Sequence, residues 1–224
     1  MTSNSAPSAL PRIVPRIVPR IVGRSSSHFT RVLRLFAEEC AVRYDFQVVP
    51  NLLSEDAAVY GGNPGLRVPT LITEQGPSFG SLGSCRALAA LAPQPLRMVW
   101  PESTPLGIAA NALELSLQAM STEVTWIMAT ANGLAASPYA LKSRTALTGM
   151  LGWLESNVLE ALAALPERDL SYLELSLFCL IDHLEFREVL VLDPYERLRS
   201  FRDQFAERPS AAATRFRFDR VSSS

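Results

Sequence analysis

Four consecutive residues, Ser25 to His28, have side chains that can donate and accept hydrogen bonds and, in the histidine, transfer a proton. They precede an amphipathic pattern, so their side chains would lie at the N-terminus of a helix. Serines in this position are usually N-caps, whose side-chain oxygen accepts a hydrogen bond from a backbone N–H of the first turn. A serine hydroxyl there could also donate a hydrogen bond to an anion, next to the positive end of the helix dipole. We expect His28 to be a solvated first-turn residue.

Two further segments could contribute to a binding site. The run Arg67 to Thr73, RVPTLIT, has the β-branched residues of a strand, with Pro69 near its beginning. Proline has no N–H to donate within a sheet, so the first position of a strand is one of the few that accept it. Ser81 opens a helical pattern of small residues, where by default it is an N-cap.

The three cysteines do not suggest metal or redox chemistry. Cys40, Cys85 and Cys179 lie far apart, form no CxxC pair, and fall in apolar helical patterns. Such thiols behave as small apolar core residues. We therefore expect no metal site, and cysteines that remain reduced.

Composition limits the function classes. Of the 224 residues 48% are hydrophobic and 19% charged, as in a globular protein. The 21 basic and 22 acidic residues nearly cancel, so no strong field attracts nucleic acid or an anionic membrane. No apolar run approaches the ~20 residues of a membrane span, and no secretory signal precedes the fold. These features predict a cytoplasmic protein of two modest domains.

The first half of the chain is predicted to have the element order βαβαββα. Strands are expected at 20–23, 44–49, 67–73 and 78–79, and helices at 29–40, 52–60 and 81–92. Ahead of them PRIV occurs three times in tandem, from Pro11, Pro15 and Pro19. A proline in every repeat predicts a disordered or extended tail over residues 1–18.

The second half is predicted to be helical. Helices are expected at about 106–132, 138–164, 171–186 and 194–206. Ser171 and Glu174 have the spacing of a capping box, in which each side chain bonds the other residue's backbone N–H. The predicted divisions are an α/β domain at 19–95, a linker at 96–103, an all-helical domain at 104–214 and a polar tail at 215–224.

Four local matches resemble the glutathione S-transferase superfamily. The segment GRSSSHFTRVLRLFAEEC looks like the family's first strand-to-helix turn, and NPGLRVPTLI is similar to its N-P-x-G-x-V-P-x-L segment. FGSLGSCRALAAL looks like the family's E-S-x-A-I-x-x-Y-L helix, with Gly80 in the place of the usual glutamate. MVWPES resembles the interdomain linker, and the Ser171 box, HLEFR at His183 and RPSAAAT at Arg208 resemble the last third of the helical domain. The resemblance implies the glutathione transferase fold, a thioredoxin-like N-terminal domain followed by an all-α C-terminal domain.

The resemblance also implies glutathione as cosubstrate and residues that hold it. The main chain of Val68, before a cis Pro69, would pair with the cysteinyl unit. The γ-glutamyl carboxylate would bind where the Ser81 helix begins, because free N–H groups and the helix dipole favour an anion there. Gly80 lacks the side-chain acceptor that glutamate would supply.

For catalysis, Ser26 aligns with the family's active serine, with Ser27 next and Ser25 behind. Such a serine donates a hydrogen bond to the thiolate and so lowers the pKa of the thiol, ~8.5 when free. The implied function is glutathione transfer to small apolar electrophiles by a homodimer. A stripe on the first helix of the second domain could line the electrophile pocket, although such stripes are usually core: Met120, Thr122, Val124, Trp126 and Met128.

Two alternatives remain open. The first is a non-catalytic protein of the same fold that serves protein interaction or regulation, which Gly80 and the unusual S-S-S-H turn suggest. The second is a zeta-like glutathione-dependent isomerase, which the Ser25-Ser26 pair suggests, although Ser27 stands where that group has cysteine.

Overall fold

The computed structural model describes residues 17–220. Its first part contains a four-stranded sheet made of β1 (Arg20–Gly23), β2 (Asp45–Val48), β3 (Thr70–Thr73) and β4 (Gly76–Phe79). The strand order is β2-β1-β3-β4, with β1 parallel to β2 and antiparallel to β3, and β4 antiparallel to β3. The alternation of strands and helices follows the predicted thioredoxin-like order.

The N-terminal PRIV repeats meet the fold at their last copy. The predicted disordered tail, residues 1–18, lies outside the described residues except for its last two positions. The backbone N–H of Ile17 donates to Glu74 Oε1 at 2.7 Å, and Pro19 accepts from the Asp45 N–H at 2.8 Å. The third PRIV therefore leads into β1, as expected.

Helices α1 (His28–Glu39) and α2 (Ser81–Ala89) contact each other and close the core of this part. The apolar face of α1 supplies fully buried Leu33, Leu35 and Phe36, which explains its amphipathic pattern. Both helices begin within one residue of their predicted starts, and α2 ends three residues earlier than predicted.

The segment from Leu52 to Tyr60 differs from its prediction as a helix. Only Ala57–Tyr60 is helical, as a single 3₁₀ turn. The Asn51 side chain accepts from the Leu53 N–H at 2.9 Å, and Asp56 accepts from the Ala58 N–H in the same way at 2.9 Å. Short polar side chains that bond nearby N–H groups compete with an α-helix, and here they break it into turns.

The second part is a bundle of helices, and the long helical patterns are confirmed. It contains α3 (Ile108–Ala131), α4 (Pro138–Ala163), α5 (Tyr172–Phe186), α6 (Glu196–Ala206) and α7 (Pro209–Ala213). Helix α5 lies at the centre, in contact with α1, α3 and α6, and the run Leu177 to Ile181 is fully buried. The short α7 was not predicted as a helix.

Two very short strands also depart from the all-helical prediction. β5 (Met98–Val99) pairs in parallel with β6 (Leu170–Ser171), so the segment after α2 is tied to the start of α5. Ser171 then caps α5, because its Oγ accepts from the Glu174 N–H at 3.1 Å and donates to Glu174 Oε2 at 2.7 Å. The glutamate thus bonds the serine hydroxyl, whereas the capping-box prediction has it bond the serine N–H.

A buried arginine joins the two parts where α1 lies against α5. Arg31 forms an ion pair with Asp182 and donates from Nη2 to the Ala211 carbonyl at 3.3 Å. Its guanidinium lies 4.7 Å from the ring centre of Phe178 and 4.3 Å from that of Phe216. The Arg31 guanidinium is therefore in contact with α5, with α7 and with the segment after α7.

Candidate functional site

The serine turn and the start of β3 lie at the same end of the sheet. Strand β1 ends at Gly23, directly before the turn, and its Val22 is opposite Thr70, the first residue of β3. Because the two strands are antiparallel, the residues that precede Thr70 lie beside those that follow β1. The sheet thus brings together two segments that the sequence analysis assigned to one site.

The start of α2 lies at this end as well. Phe79, the last residue of β4, is opposite Thr70. The Gly80 N–H then donates to the Pro69 carbonyl at 3.1 Å. All three predicted segments, the serine turn, Val68-Pro69 and Gly80-Ser81, therefore converge.

Val68 and Pro69 form a cis peptide bond, which agrees with what the resemblance implies. The main chain of Val68 makes no backbone hydrogen bond with any other residue from 17 to 220. The preceding loop is held by Asn63, whose Nδ2 donates to the Arg67 carbonyl at 2.9 Å and whose Oδ1 accepts from the Gly65 N–H at 2.8 Å. Val68 is thus partly buried, and its N–H and C=O are unused within the described residues, as a peptide-binding edge requires.

Gly80 occupies the N-cap position of α2 with φ 75° and ψ 166°. A Cβ at this position would meet no atom within 4 Å, so the backbone conformation, rather than crowding, favours glycine. No side chain caps α2, and no acidic residue lies in its first turn. The N–H groups of that turn keep the positive electrostatic potential that attracts an anion.

The Ser81 side chain is directed towards the helical part. Its Oγ lies 2.9 Å from the hydroxyl oxygen of Tyr172, the first residue of α5, and both side chains are buried. Burial raises the pKa of Tyr172 far above its ordinary value, so the phenol keeps its proton. The Ser81 hydroxyl is therefore engaged in a hydrogen bond between the two parts, and the anion site predicted at this helix start depends on its N–H groups.

The three adjacent serines have different environments. The Ser27 Oγ accepts from the Thr30 N–H at 3.3 Å and is the N-cap of α1. Ser26 is partly exposed, and its hydroxyl has no hydrogen-bond partner within residues 17–220. Ser25 is buried, and its Oγ also lacks a partner.

Residues 215–220, the C-terminal segment, lie against this turn. The Ser25 N–H donates to Asp219 Oδ2 at 2.7 Å, and the Arg217 N–H lies 3.5 Å from the Ser25 carbonyl oxygen. The Arg24 Nε is 3.6 Å from the same Asp219 oxygen. The prediction of a polar tail contained no indication of these contacts.

Directly behind the turn is a buried group that we call the His–Glu cluster: His28 on α1, Glu123 on α3 and His183 on α5. His28 is only 1% exposed, so the expectation of a solvated residue is wrong. Its Nδ1 lies 3.0 Å from His183 Nδ1 and 3.3 Å from Glu123 Oε2. His183 Nδ1 lies 2.7 Å from Glu123 Oε1, and its Nε2 lies 2.9 Å from the Ser26 carbonyl oxygen.

In the His–Glu cluster, burial shifts the pKa values in one direction and the hydrogen bonds between the charged groups shift them in the other. Burial lowers the pKa of His28, more than the hydrogen bond to Glu123 raises it. Burial alone would raise the pKa of Glu123, but hydrogen bonds from His183 and His28 lower it on balance. The carboxylate is therefore ionised although it is fully buried.

The cysteines are the core thiols that were predicted. All three are unpaired and buried, and burial raises the pKa of Cys40 and of Cys179 to about 12. A thiol with such a pKa is protonated at neutral pH and is a poor nucleophile.

The proposed pocket stripe on α3 is divided between core and surface. Met120 is fully buried, whereas Val124 and Met128 are 40% and 41% exposed. Met120 is therefore a core residue, Thr122 and Trp126 are partly buried, and Val124 and Met128 are the most exposed members of the stripe.

Comparisons with known proteins bear on the fold. No protein-family model and no curated protein matches the sequence. Among solved structures, a glutathione S-transferase from Methylobacterium radiotolerans in complex with glutathione sulfonate has a TM-score of 0.69 at 15% identity, over 92% of this chain and 98% of that one. A glutathione S-transferase from Methylobacillus flagellatus with glutathione bound has a TM-score of 0.71 at 17% identity, over 89% of this chain and 100% of that one.

A glutathione transferase family member from Pseudomonas fluorescens with bound glutathione gives a TM-score of 0.71 at 19% identity, over 89% of this chain and 99% of that one. The chain therefore has the glutathione S-transferase fold, as the sequence predicted. Among the described helices, none has the length and apolar character that crossing a membrane requires.

Proposed function

We propose that this protein is a glutathione transferase that activates the glutathione thiol and transfers it to small apolar electrophiles. The observation that carries the proposal is the convergence of three features at one end of the sheet. They are the free main chain of Val68, the uncapped start of α2 and the free hydroxyl of Ser26.

Each feature matches one chemical need of glutathione. The N–H and C=O of Val68, next to Pro69, can pair with the cysteinyl unit as a neighbouring strand would. The first turn of α2, at Gly80 and Ser81, can hold the γ-glutamyl carboxylate through its N–H groups. Ser26 can donate its hydroxyl to the thiolate, and the start of α1 adds a favourable dipole.

Two further properties belong to the proposal. We expect a cytoplasmic homodimer, because the resemblance implies one and the buried, unpaired cysteines suit a reducing compartment. Sedimentation of the purified protein as a monomer would contradict the dimer without affecting the glutathione site.

Calorimetry with glutathione tests the site, and the hydrogen bond between Ser81 and Tyr172 supplies a matched control. Ser81→Ala removes a hydroxyl that could also contact the ligand, whereas Tyr172→Phe breaks the same interdomain bond and leaves the Ser81 hydroxyl free. We expect the wild type to bind, Ser81→Ala to weaken binding by about tenfold, and Tyr172→Phe to change it little.

The other outcomes are informative. If both variants weaken binding equally, Ser81 positions the start of α2 and does not contact glutathione. If the wild type does not bind glutathione, the proposed function is wrong.

A non-catalytic role in protein interaction or regulation is the second candidate. It is favoured by the engagement of the Ser81 hydroxyl with Tyr172 and by Asp219, a carboxylate bonded to the turn that would receive the thiolate. This function predicts no thermal stabilisation by millimolar glutathione.

A further inference from the structure

The His–Glu cluster has a geometry that the proposed transferase function does not use. Its ligand atoms are separated by 3.0 Å between the two histidine Nδ1 atoms, and by 2.7 and 3.3 Å from these to the Glu123 oxygens. A tetrahedral ion with bonds of about 2.0–2.2 Å holds its ligand atoms about 3.3 Å apart, so the side chains would move apart by a few tenths of an ångström to admit one. We propose that the cluster binds a divalent transition-metal ion, Zn²⁺ first among them, through both Nδ1 atoms and the Glu123 carboxylate.

Hydrogen bonding determines which nitrogen of His183 is free. Its Nε2 lies 2.9 Å from the Ser26 carbonyl oxygen, which can only accept, so Nε2 carries a proton. If the His183 ring is neutral, its Nδ1 therefore carries a lone pair, and this atom lies 2.7 Å from Glu123 Oε1. Two acceptors at this distance require a cation between them, either a proton or a metal ion.

A single proton satisfies the cluster less completely than a metal ion. A proton on His183 Nδ1 serves Glu123 Oε1, and Glu123 Oε2 keeps only a long contact of 3.3 Å to His28 Nδ1. The proton also leaves His28 Nδ1 only 3.0 Å from the protonated nitrogen. A metal ion accepts the lone pairs of all three residues at once.

The surroundings are those of a built metal site. The ligands come from α1, α3 and α5, and all three residues are buried. The hydrogen bond from His183 Nε2 to Ser26 is the type of second-shell contact that orients metal-binding histidines. An ion here would join the two domains and fix the carbonyl group of the serine turn.

The donor set indicates the ion. Two imidazoles and one carboxylate suit Zn²⁺, and three protein ligands with an open position are typical of zinc sites that keep a bound water or hydroxide. With two neutral histidines and one carboxylate the complex would carry one positive charge.

Metal analysis of the full chain tests this inference, and the readout does not depend on glutathione. After removal of metal with a chelator, the protein is incubated with Zn²⁺ and dialysed, and its zinc content is measured by mass spectrometry. We expect one zinc per chain and a higher melting temperature than that of the metal-free protein. Co²⁺ should give visible absorption typical of four-coordinate nitrogen and oxygen ligands, without a thiolate charge-transfer band.

Variants separate ligation from general loosening of the interface. Glu123→Gln keeps the side-chain shape and should lose zinc retention, with affinity lowered at least tenfold. Tyr172→Phe, which breaks another buried interdomain hydrogen bond, and Glu114→Gln, which removes an exposed carboxylate from the same helix, should both retain one zinc. Retention by Glu123→Gln equal to that of the wild type would overturn the site.

Nitrogen NMR of the wild type gives a result even if the variants fail to fold. The chain has 2 histidines, so each ring can be assigned. Zinc binding predicts two neutral rings protonated at Nε2, with both Nδ1 resonances shifted by the metal. A charged His183 ring that zinc leaves unchanged would show that the cluster holds a proton instead.

Discussion

At the scale of single residues, the serine turn shows how three identical side chains acquire different roles. The hydroxyl of Ser27 caps α1 and that of Ser25 is buried, whereas Ser26 is partly exposed and its hydroxyl has no partner in the described part of the chain. A sequence comparison ranks these positions by alignment alone. The structure adds a physical criterion, because a partly exposed hydroxyl that neither caps a helix nor lies in the core can turn towards a ligand without losing another hydrogen bond.

Substitution of Ser26 and Ser27 separates catalysis from capping. We expect Ser26→Ala to lower kcat/KM with an aromatic halide electrophile by about 100-fold, because the thiolate loses a hydrogen-bond donor. Ser27→Ala should instead cost about 1 kcal/mol of stability through the lost cap. The ultraviolet absorbance of bound thiolate against pH should show a higher thiol pKa in Ser26→Ala, and an effect confined to Ser27→Ala would contradict this assignment.

His28 marks where prediction from the sequence failed in the site. Local context places it in the first turn of a helix, where a solvated histidine is common. Its partner His183 lies 155 positions away along the chain, and Glu123 lies on a third helix. No periodicity within α1 could reveal them, whereas local sequence was enough to predict the cis bond at Pro69 and the start of a helix after Gly80. The roles of Pro69 and Gly80 in binding remain a proposal.

At the scale of secondary-structure elements, long periodic patterns predicted helices well and short segments poorly. Helices α3, α4 and α5 were predicted within two residues at each end, because their apolar faces extend over many turns. The 3₁₀ turn at Ala57–Tyr60 was missed, since Asn51 and Asp56 bond nearby N–H groups. Strands β5 and β6 are each two residues long, and they exist only because of their tertiary pairing.

The end of α1 is linked to α7 by a carboxylate whose effect on stability depends on pH. Arg208 donates to Glu39 from Nε at 2.8 Å and from Nη2 at 2.7 Å, and the Ser210 hydroxyl also donates to it. Burial alone would raise the pKa of Glu39, but these hydrogen bonds lower it below the ordinary 4.5. Its stabilising contribution is therefore complete above the unfolded-state pKa and is lost as pH falls through the folded-state value.

We expect Glu39→Gln to lower the free energy of unfolding by about 1 to 2 kcal/mol at neutral pH. Urea unfolding at a series of pH values should show the difference from wild type shrinking as the pH falls below 4.5, where the unfolded state takes up its proton, and disappearing below the lower folded-state pKa of Glu39. Glu160→Gln, at an exposed position of α4, is the control and should have little effect. A difference that is constant down to the acid transition would exclude Glu39 as the titrating group.

The C-terminal segment offers a matched pair of phenylalanines. The Phe216 ring lies 5.0 Å from that of His183 and 4.3 Å from the Arg31 guanidinium, whereas Phe218 is 64% exposed. We expect Phe216→Ala to cost about 2 kcal/mol, below the range for a fully buried phenylalanine, and Phe218→Ala less than about 1 kcal/mol. Equal costs in urea titrations would mean that the segment does not stabilise the fold through Phe216.

At the scale of the whole molecule, the two domains share contacts that neither could satisfy alone. Arg31, His28 and Ser81 belong to the first part, and each finds its polar partners on α3, α5 or α7 of the second. The charges of Arg31 and Glu123 are buried, so separation of the domains would require both to be solvated again. The domain boundary predicted from the sequence therefore separates two kinds of architecture, but the two parts depend on each other for their stability.

This sharing predicts that the two domains unfold together. Trp126 and Trp153 lie on α3 and α4, whereas the Trp100 ring lies 5.5 Å from that of Phe36 on α1. With Trp100→Phe as the background for both measurements, fluorescence reports on the second part, while far-ultraviolet circular dichroism reports on both. We expect the two signals to give one urea midpoint in this background. Asp182→Asn should lower both midpoints equally, at a cost of about 2 kcal/mol, because the buried Arg31 loses its ion-pair partner, although Asp182 itself is 25% exposed. A fluorescence midpoint above that of circular dichroism would instead show that the helical domain is stable without the contacts of α1.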